Sequence, residues 1–413
     1  MNRGSSLAGR TAPTSARQTS LRAANLALVL TTVLRNPAGV SRASIASATG
    51  MTRATASRLV DELVAGGILA ELPRAAAPSR GRPATPIIAA SRLIALGLQV
   101  DTNRLTARAI TLSGEIAGER SEIGDWRNSR PAACLARLGE LSTELITALT
   151  DDVRIVGVGL ALPGVVRADT ATLMTAPNLG WPEVRPAEFI AAGARAGLSV
   201  RVGNEADLAA RATAEYAPGR PGAVRDFFYV SGDTGIGGAA VIDGKVMAGP
   251  YGGSGEIGHV TVDPGGGACA CGSTGCLELY AGRQALVAAA GLPTGTGIAE
   301  LAAHAVAGNA AVLHSLERAA WALGIALAAA INILGIPVIV LGGHLAALAD
   351  FLLPPLISHL HSRVVAAQWI APRVEVARPD TAPGTTGAAY LALEELIHDP
   401  AGWIPERATD GTA

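Results

Sequence analysis

From Gln18 to Arg35 the apolar residues Leu21, Leu26, Val29, Leu30, Val33 and Leu34 recur at helical spacing. Asn36-Pro37-Ala38-Gly39 ends that run. Ser41 can cap a short second helix over 42–49, and Gly50-Met51 makes a tight turn. Thr52 can then cap a third helix reaching about Ala65, where Gly66-Gly67 stops it. Apolar stretches at 68–72 and 86–90 predict two strands flanking a tip rich in Pro and Arg.

After Ala90 the texture changes. Residues 94–100 and 105–110 read as a β-hairpin, and 155–161, 198–203 and 227–231 as further strands. Residues 131–150, 283–290 and 310–334 carry helical patterns. Alternation of strand and helix predicts an α/β body. Residues 1–17 have no hydrophobic period and are expected to form a disordered arm, and 400–413 a loose tail.

Two segments imitate membrane signals. Asn25 to Leu34 follows arginines like a signal-peptide core, but it continues smoothly into the helical head. Trp321 to Gly343 holds no charged residue, yet Asn332, Gly335 and Pro337 interrupt it, so a buried helix followed by a buried strand is expected. No membrane partner and a cytoplasmic location follow as expectations.

Composition excludes disorder: 49% of residues are hydrophobic, 16% are charged, and mean hydropathy is +0.34. The formal net charge of −1 conceals a division. Residues 1–92 hold 12 arginines, no lysine and 3 acids, a net +9, while the rest hold 21 bases and 31 acids, a net −10. A basic head on an acidic body points to a nucleic-acid-binding module joined to something else.

In the third helix Ala56, Leu59, Val60 and Leu63 share one face. Thr52, Arg53, Ala54, Ser57 and Arg58 are left outward near its start, the part of a recognition helix that reaches base edges. Arg80 and Arg82 at the tip can enter an adjacent minor groove. Residues 18–90 are therefore expected to form a winged helix-turn-helix domain that binds operator DNA.

Three of the four cysteines lie within eight positions, Cys269, Cys271 and Cys276, with His259 ten residues upstream of the first. Three Cys and one His make a closed tetrahedral zinc site with no position left for catalytic water. Cys134, alone in an apolar helix, reads as a small buried hydrophobe. Glu256, Glu278 and Asn204-Glu205 gather near the cysteine loop, and carboxylates with an amide suit a polyol.

Leu162-Pro-Gly-Val-Val166, Pro177-Asn-Leu-Gly-Trp181, Asn204-Glu-Ala-Asp-Leu208, Gly255-Glu-Ile-Gly-His259 and the Cys-x-Cys-Gly-x-x-Gly-Cys-x-Glu run ending at Glu278 resemble the ROK family, specifically its DNA-binding regulators. The resemblance covers about residues 18–398. It implies an actin-like ATPase fold, with residues 91–203 plus about 385–399 as a smaller α/β lobe and 204–384 as a larger lobe carrying the zinc loop. It implies sugar contacts from Asn178, Asn204, Glu205, Glu256, His259 and Glu278, and a structural Zn2+ on His259, Cys269, Cys271 and Cys276.

Two departures bear on catalysis. Family kinases place Asp after the site Asn, whereas this chain has Glu205, whose extra methylene displaces the carboxylate. The glycine-bearing first phosphate hairpin of such kinases is here Asp101-Thr-Asn-Arg-Leu-Thr106, without glycine. Gly232 to Gly238 and Leu341-Gly-Gly343 resemble other nucleotide loops, and fold turns alone account for their glycines. The expectation is a sugar-responsive transcriptional regulator, a repressor of carbohydrate-utilisation genes working as a dimer or tetramer, with no catalytic residue and no ATP. The alternative is an active sugar kinase with a DNA-binding head.

Overall fold

The computed structural model describes residues 14–72, 85–150, 152–190, 198–232 and 235–404, with side chains from residue 20 onward. The chain divides into two compact units, residues 1–93 with 393–413, and residues 94–392.

The first unit begins with helices α1 (Thr14–Leu34), α2 (Arg42–Thr49) and α3 (Arg53–Ala65), followed by strands β1 (Leu69–Glu71) and β2 (Ile87–Ala89). Both expected caps form. Ser41 Oγ accepts from the Ser44 amide at 3.1 Å, and Thr52 Oγ1 accepts from the Thr55 amide at 3.2 Å. Gly50 closes α2 in the left-handed conformation at φ 69°. Leu26, Val29 and Leu30 of α1 bury against this framework with Ile45, Ala56, Leu59 and Leu63. β1 and β2 pair antiparallel, and Val40 adds an isolated antiparallel bridge to Ile87.

Two boundaries differ from expectation. Helix α1 already runs from Thr14, so 14–17 are not part of an arm; residues 1–13 lie outside the described residues. Pro400–Trp403 form a 3₁₀ turn that packs against α1, and Ile404 lies over Gly66. This stretch is held because Pro400 is buried, whereas 405–413 lie outside the described residues.

The second unit contains two five-stranded sheets of matching design. The first sheet uses β3 (Leu93–Val100), β4 (Arg104–Thr111), β5 (Ile116–Ile123), β6 (Arg154–Leu162) and, after the small hairpin β7 (Val165–Arg167) and β8 (Thr172–Thr175), β9 (Val200–Asn204). Its order is β5-β4-β3-β6-β9, with β3, β4 and β5 antiparallel and β6 parallel to β9. Helix α4 (Pro131–Ala148) and the short α5 (Ala187–Ile190) accompany it, and Leu135, Leu138 and Leu141 pack with Leu96, Leu98 and Val158. Cys134 is buried in this core, and burial pushes its thiol up to about 12.

Helix α6 (Glu205–Ala214) and the short pair β10 (Glu215–Ala217) and β11 (Arg220–Pro221) lead to β12 (Phe227–Gly232), β13 (Ile236–Ile242) and β14 (Lys245–Val246). Helices α7 (Glu278–Ala281), α8 (Arg283–Ala289), α9 (Ile298–Val306) and α10 (Ala310–Leu334) follow. Then come β15 (Val338–Gly342), α11 (Gly343–Ala347), α12 (Ala349–Arg363), β16 (Arg373–Val376) and α13 (Pro383–His398). The second sheet runs β14-β13-β12-β15-β16, with β12, β13 and β14 antiparallel and β12, β15 and β16 parallel. Helix α10 is apolar and long enough to cross a membrane, but Leu316, Leu323 and Leu327 bury in the core beneath this sheet with Leu352 and Leu356 of α12.

One buried charge is conspicuous. Arg108 of β4 is 2% exposed and pairs with Asp380 at 2.7 Å and Glu119 at 2.5 Å, while Thr381 and Thr386 accept further bonds. It ties the first sheet to the segment entering α13.

Candidate sugar site, metal-ligand cluster and DNA-contact helix

His259 ends a 3₁₀ turn, Ile257–His259, that follows Gly255. The chain then runs out and folds back: Thr261 bridges Cys276, Ala268 bridges Thr274, and the Cys269 amide donates to the Ser273 carbonyl at 2.8 Å. Gly275 makes the return possible, since its φ is +62° and a Cβ there would collide with the Asp263 carbonyl. Tyr280 Oη donates to Asp263 Oδ2 at 2.7 Å, and the Tyr280 ring meets Trp321 of α10 edge-on, anchoring the loop to the core.

The fold-back brings one donor atom each from His259, Cys269, Cys271 and Cys276 within 4.8 Å of one another. Cys271 Sγ lies 3.7 Å from Cys276 Sγ, and Cys269 Sγ lies 3.9 Å from His259 Nδ1. Edges of a tetrahedron around an ion bonded to sulfur at ~2.3 Å are roughly 3.7 Å, so the donor set fits a closed four-ligand metal site. Burial and the two neighbouring sulfurs push the Cys276 thiol up, while the Ser273 amide first and its neighbours next pull Cys271 down. Such crowded sulfurs resist ionising together unless a cation joins them.

All six residues singled out for sugar contact line one cavity of about 300 Å³: Asn178, Asn204, Glu205, Glu256, His259 and Glu278. Cys271 also lines it, so the metal-ligand loop forms part of its wall. Asn178 sits in a 3₁₀ turn, Pro177–Leu179, closed by Gly180. Glu278 opens α7, and its Oε2 accepts from the Ile236 amide at 3.2 Å. His259 faces both ways, Nδ1 toward Cys269 and Nε2 toward Glu256 Oε2 at 3.9 Å.

Asn204 has a second duty. It is the N-cap of α6, its Oδ1 accepting from the amides of Ala206 at 2.7 Å and Asp207 at 3.2 Å. Its Nδ2 donates to the Gly164 carbonyl at 2.8 Å, leaving one N–H for a ligand. Glu205 is the first residue of α6, so the cap fixes where its carboxylate begins.

Asp101, Thr102 and Ser254 also line the cavity and were not singled out as sugar contacts. Asp207 was missed as well. Its Oδ1 is buried without a hydrogen-bond partner, and burial, with the nearby Glu256 charge, raises its carboxyl to about 7. Burial likewise raises Glu256, with His259 opposing and Glu278 adding to the rise. The only sequence signal for Asp207 was its place in the capping run Asn204-Glu-Ala-Asp.

The nucleotide-type turns are occupied by the fold itself. In the 101–104 hairpin the Asp101 amide donates to the Arg104 carbonyl, while the Thr102 and Asn103 carbonyls accept from Trp126 and Gly124. None of these residues has positive φ. A Cβ on Gly343 would strike the Gly232 carbonyl, and one on Gly232 would strike the buried His344 ring. Close packing thus accounts for Gly232 and Gly343. Asp233 and Thr234 lie outside the described residues.

In the first unit Thr52, Arg53, Ala54 and Arg58 are exposed along the start of α3, and Ser57 is half-buried. Arg58 pairs with Glu62 at 2.5 Å, and Glu62 also holds Arg22 at 2.7 Å. Arg42 bridges Asp61 and Glu71. These acids engage three arginines, Arg22, Arg42 and Arg58. Arg80 and Arg82 lie outside the described residues.

A model of the ROK family matches residues 104–395, and one of the IclR helix-turn-helix domain matches residues 23–73. The chain is 24% identical over 409 residues to the xylose repressor of Caldicellulosiruptor bescii, covering 92% of this chain and 98% of that protein. Its fold is similar to that of a ROK family transcriptional regulator, a homologue of the E. coli MLC protein, with TM-score 0.76, 22% identity, and coverage of 93% and 99%. It is also similar to a ROK family glucokinase from Streptomyces griseus in complex with glucose and AMPPNP, with TM-score 0.60, 25% identity, and coverage of 72% and 98%.

Proposed function

The chain belongs to the ROK family, and from that premise we propose that it is a sugar-responsive DNA-binding repressor that binds a sugar without phosphorylating it. The observation that carries this reading is the pairing of an intact helix-turn-helix with a polyol-suited cavity on one chain. Relatives divide accordingly: the xylose repressor matches 92% of the chain, whereas the glucokinase structure matches 72%.

The recognition helix presents Arg53, Ala54, Ser57 and Arg58, with Thr52 capping it, to an operator, and Arg80 and Arg82, between β1 and β2 in sequence, add further contacts. A twofold operator calls for a dimer, or a tetramer built from two dimers. In the cavity, Asn178, Asn204, Glu205, Glu256, His259 and Glu278 bond the hydroxyls. A Zn2+ held by His259, Cys269, Cys271 and Cys276 would serve structurally, supplying a fixed wall rather than chemistry. With Nδ1 given to a metal, His259 keeps its proton on Nε2 and turns that donor toward the cavity.

Turnover is opposed by Glu205 at the base position and by a first hairpin without glycine. Sugar acts on DNA affinity only if it binds two states of the protein unequally, a coupling of typically ~1–3 kcal/mol. The site of action is the cytoplasm, where the DNA is. Mobility-shift titration with the DNA upstream of the chain's own gene, with and without xylose and glucose, tests the reading. A sugar-dependent change in midpoint supports it; a shift that no aldose alters removes the sensor half.

A further inference from the structure

The four cysteines differ sharply in access. Cys134, Cys269 and Cys276 are buried, whereas Cys271 is exposed. Cys271 opens an exposed tip, residues 271–274. Gly272 in that tip has φ +91° and open space where a side chain would stand, so nothing on that side opposes movement. Cys271 Sγ lies 3.7 Å from Sγ of the buried Cys276. Metal ligation requires thiolates, so a loaded cluster keeps Cys271 in its nucleophilic form. An accessible thiolate beside a second sulfur that can displace its oxidised form is the arrangement of an oxidation-sensing site. Cys269 is buried and turned to His259, and Cys134 lies in the core of the first sheet, so neither meets an oxidant first.

We propose that Cys271 is a site of reversible oxidation by hydrogen peroxide, with Cys276 as its resolving partner. Cys271 Sγ attacks one peroxide oxygen and the O–O bond breaks. The sulfur becomes a sulfenic acid, and the other oxygen takes up a proton and leaves as water. Cys276 Sγ then attacks the oxidised sulfur. An S–S bond forms, the S–O bond breaks, and hydroxide takes up a second proton and leaves as water. Two thiolates, one hydrogen peroxide and two protons thus give one disulfide and two waters; each sulfur loses one electron and the peroxide gains both. Closing 3.7 Å to the ~2.0 Å of a disulfide asks the sulfurs to move by less than ~2 Å. Oxidation removes two of the four donors and leaves His259 and Cys269, too few for a closed metal site. Because Cys271 also lines the cavity, the same step alters the cavity wall. In a reducing compartment such a disulfide is transient, since thiol exchange reverses it. The inference goes beyond the sugar reading and does not depend on it.

The test treats the full-length, zinc-loaded chain with a small excess of hydrogen peroxide. Zinc release is followed with a chromogenic chelator, and cysteine connectivity is mapped by peptide mass after the remaining thiols are alkylated. The expected result is a disulfide joining Cys271 to Cys276, formed in step with zinc release, while Cys134 stays reduced. Dithiothreitol with added zinc should reverse both changes. A chain that keeps its zinc and four unoxidised cysteines, under conditions that oxidise a free cysteine peptide, overturns the proposal. So does a disulfide that leaves out Cys271 or pairs it with Cys269, and so does sulfinic or sulfonic acid at Cys271 without a disulfide, which reduction would not reverse. Calorimetry with the sugar that the reduced chain binds reads the effect on the cavity: the oxidised chain should lose that binding and regain it on reduction. Unchanged binding by the oxidised chain overturns the link to the cavity, whereas a reduced chain that binds no sugar counts against the sugar reading alone.

Discussion

Asp207→Asn isolates the proton held by the buried carboxyl of α6. Part of the Asp207 residue is accessible, but Oδ1 is buried without a hydrogen bond, so burial governs its carboxyl. Its pKa rises from 3.8 to about 7, chiefly from burial and then from Glu256. The folded state thus keeps a proton that the unfolded chain releases near 3.8. The associated stabilisation is whole below that pH and is lost as pH climbs through about 7. Between pH 5 and 8 the loss is roughly 2–3 kcal/mol, at 1.36 kcal/mol per pKa unit. The amide variant is close to isosteric with the protonated acid and does not titrate, so it suffers no such loss. Urea unfolding of both proteins at pH 5, 6, 7 and 8, followed by circular dichroism, gives the difference directly. The variant should gain on the parent as pH rises, by roughly 2–3 kcal/mol over that range. Parallel curves, within about 0.5 kcal/mol, would refute the assignment of a buried, proton-holding Asp207.

Arg108→Ala leaves Glu119 and Asp380 facing a vacated buried site, and should cost about 3–5 kcal/mol of stability, read as a large drop in thermal midpoint. Arg53→Ala should weaken operator binding and lower its salt slope by about one, measured by anisotropy at several salt concentrations. Cys271→Ser should lose zinc, assayed by a chromogenic chelator, and lose sugar binding with it, because the residue belongs to both the ligand set and the cavity wall. A metal-free variant that titrates sugar normally would break that link.

Legibility followed how local the determinants are. Ser41, Gly50 and Thr52 act within a few residues, and all three appear in the structure as caps or turn. The apolar run ending at Leu334 was separable from the next strand because Gly335 and Pro337 interrupt it; α10 ends at Leu334 and β15 begins at Val338. Strand β5 was missed because it is an edge strand whose residues, Ile116 to Ile123, are largely exposed and include Glu119, Arg120 and Glu122. At the site, Asn178, Glu256 and Glu278 stood out through motif resemblance, and the structure brings them to one cavity. Asp101 did not stand out as a wall residue, nor did Asp207 as a buried acid. Their settings depend on α6 meeting residues about fifty to one hundred positions away, which no local pattern announces. The capping bonds of Asn204 to Ala206 and Asp207 are local and went unread, whereas its bond to Gly164, 40 residues back, needs the folded geometry.

The most direct measurement pairs two readings on one preparation. Full-length protein is titrated into labelled upstream duplex with and without the sugar that binds it, and the same sample is given that sugar with ATP and magnesium in a coupled assay. The account predicts salt-sensitive operator binding that the sugar alters, and no nucleotide consumption above background. Rapid ATP-dependent phosphorylation by a chain that holds no duplex at any ionic strength would contradict it.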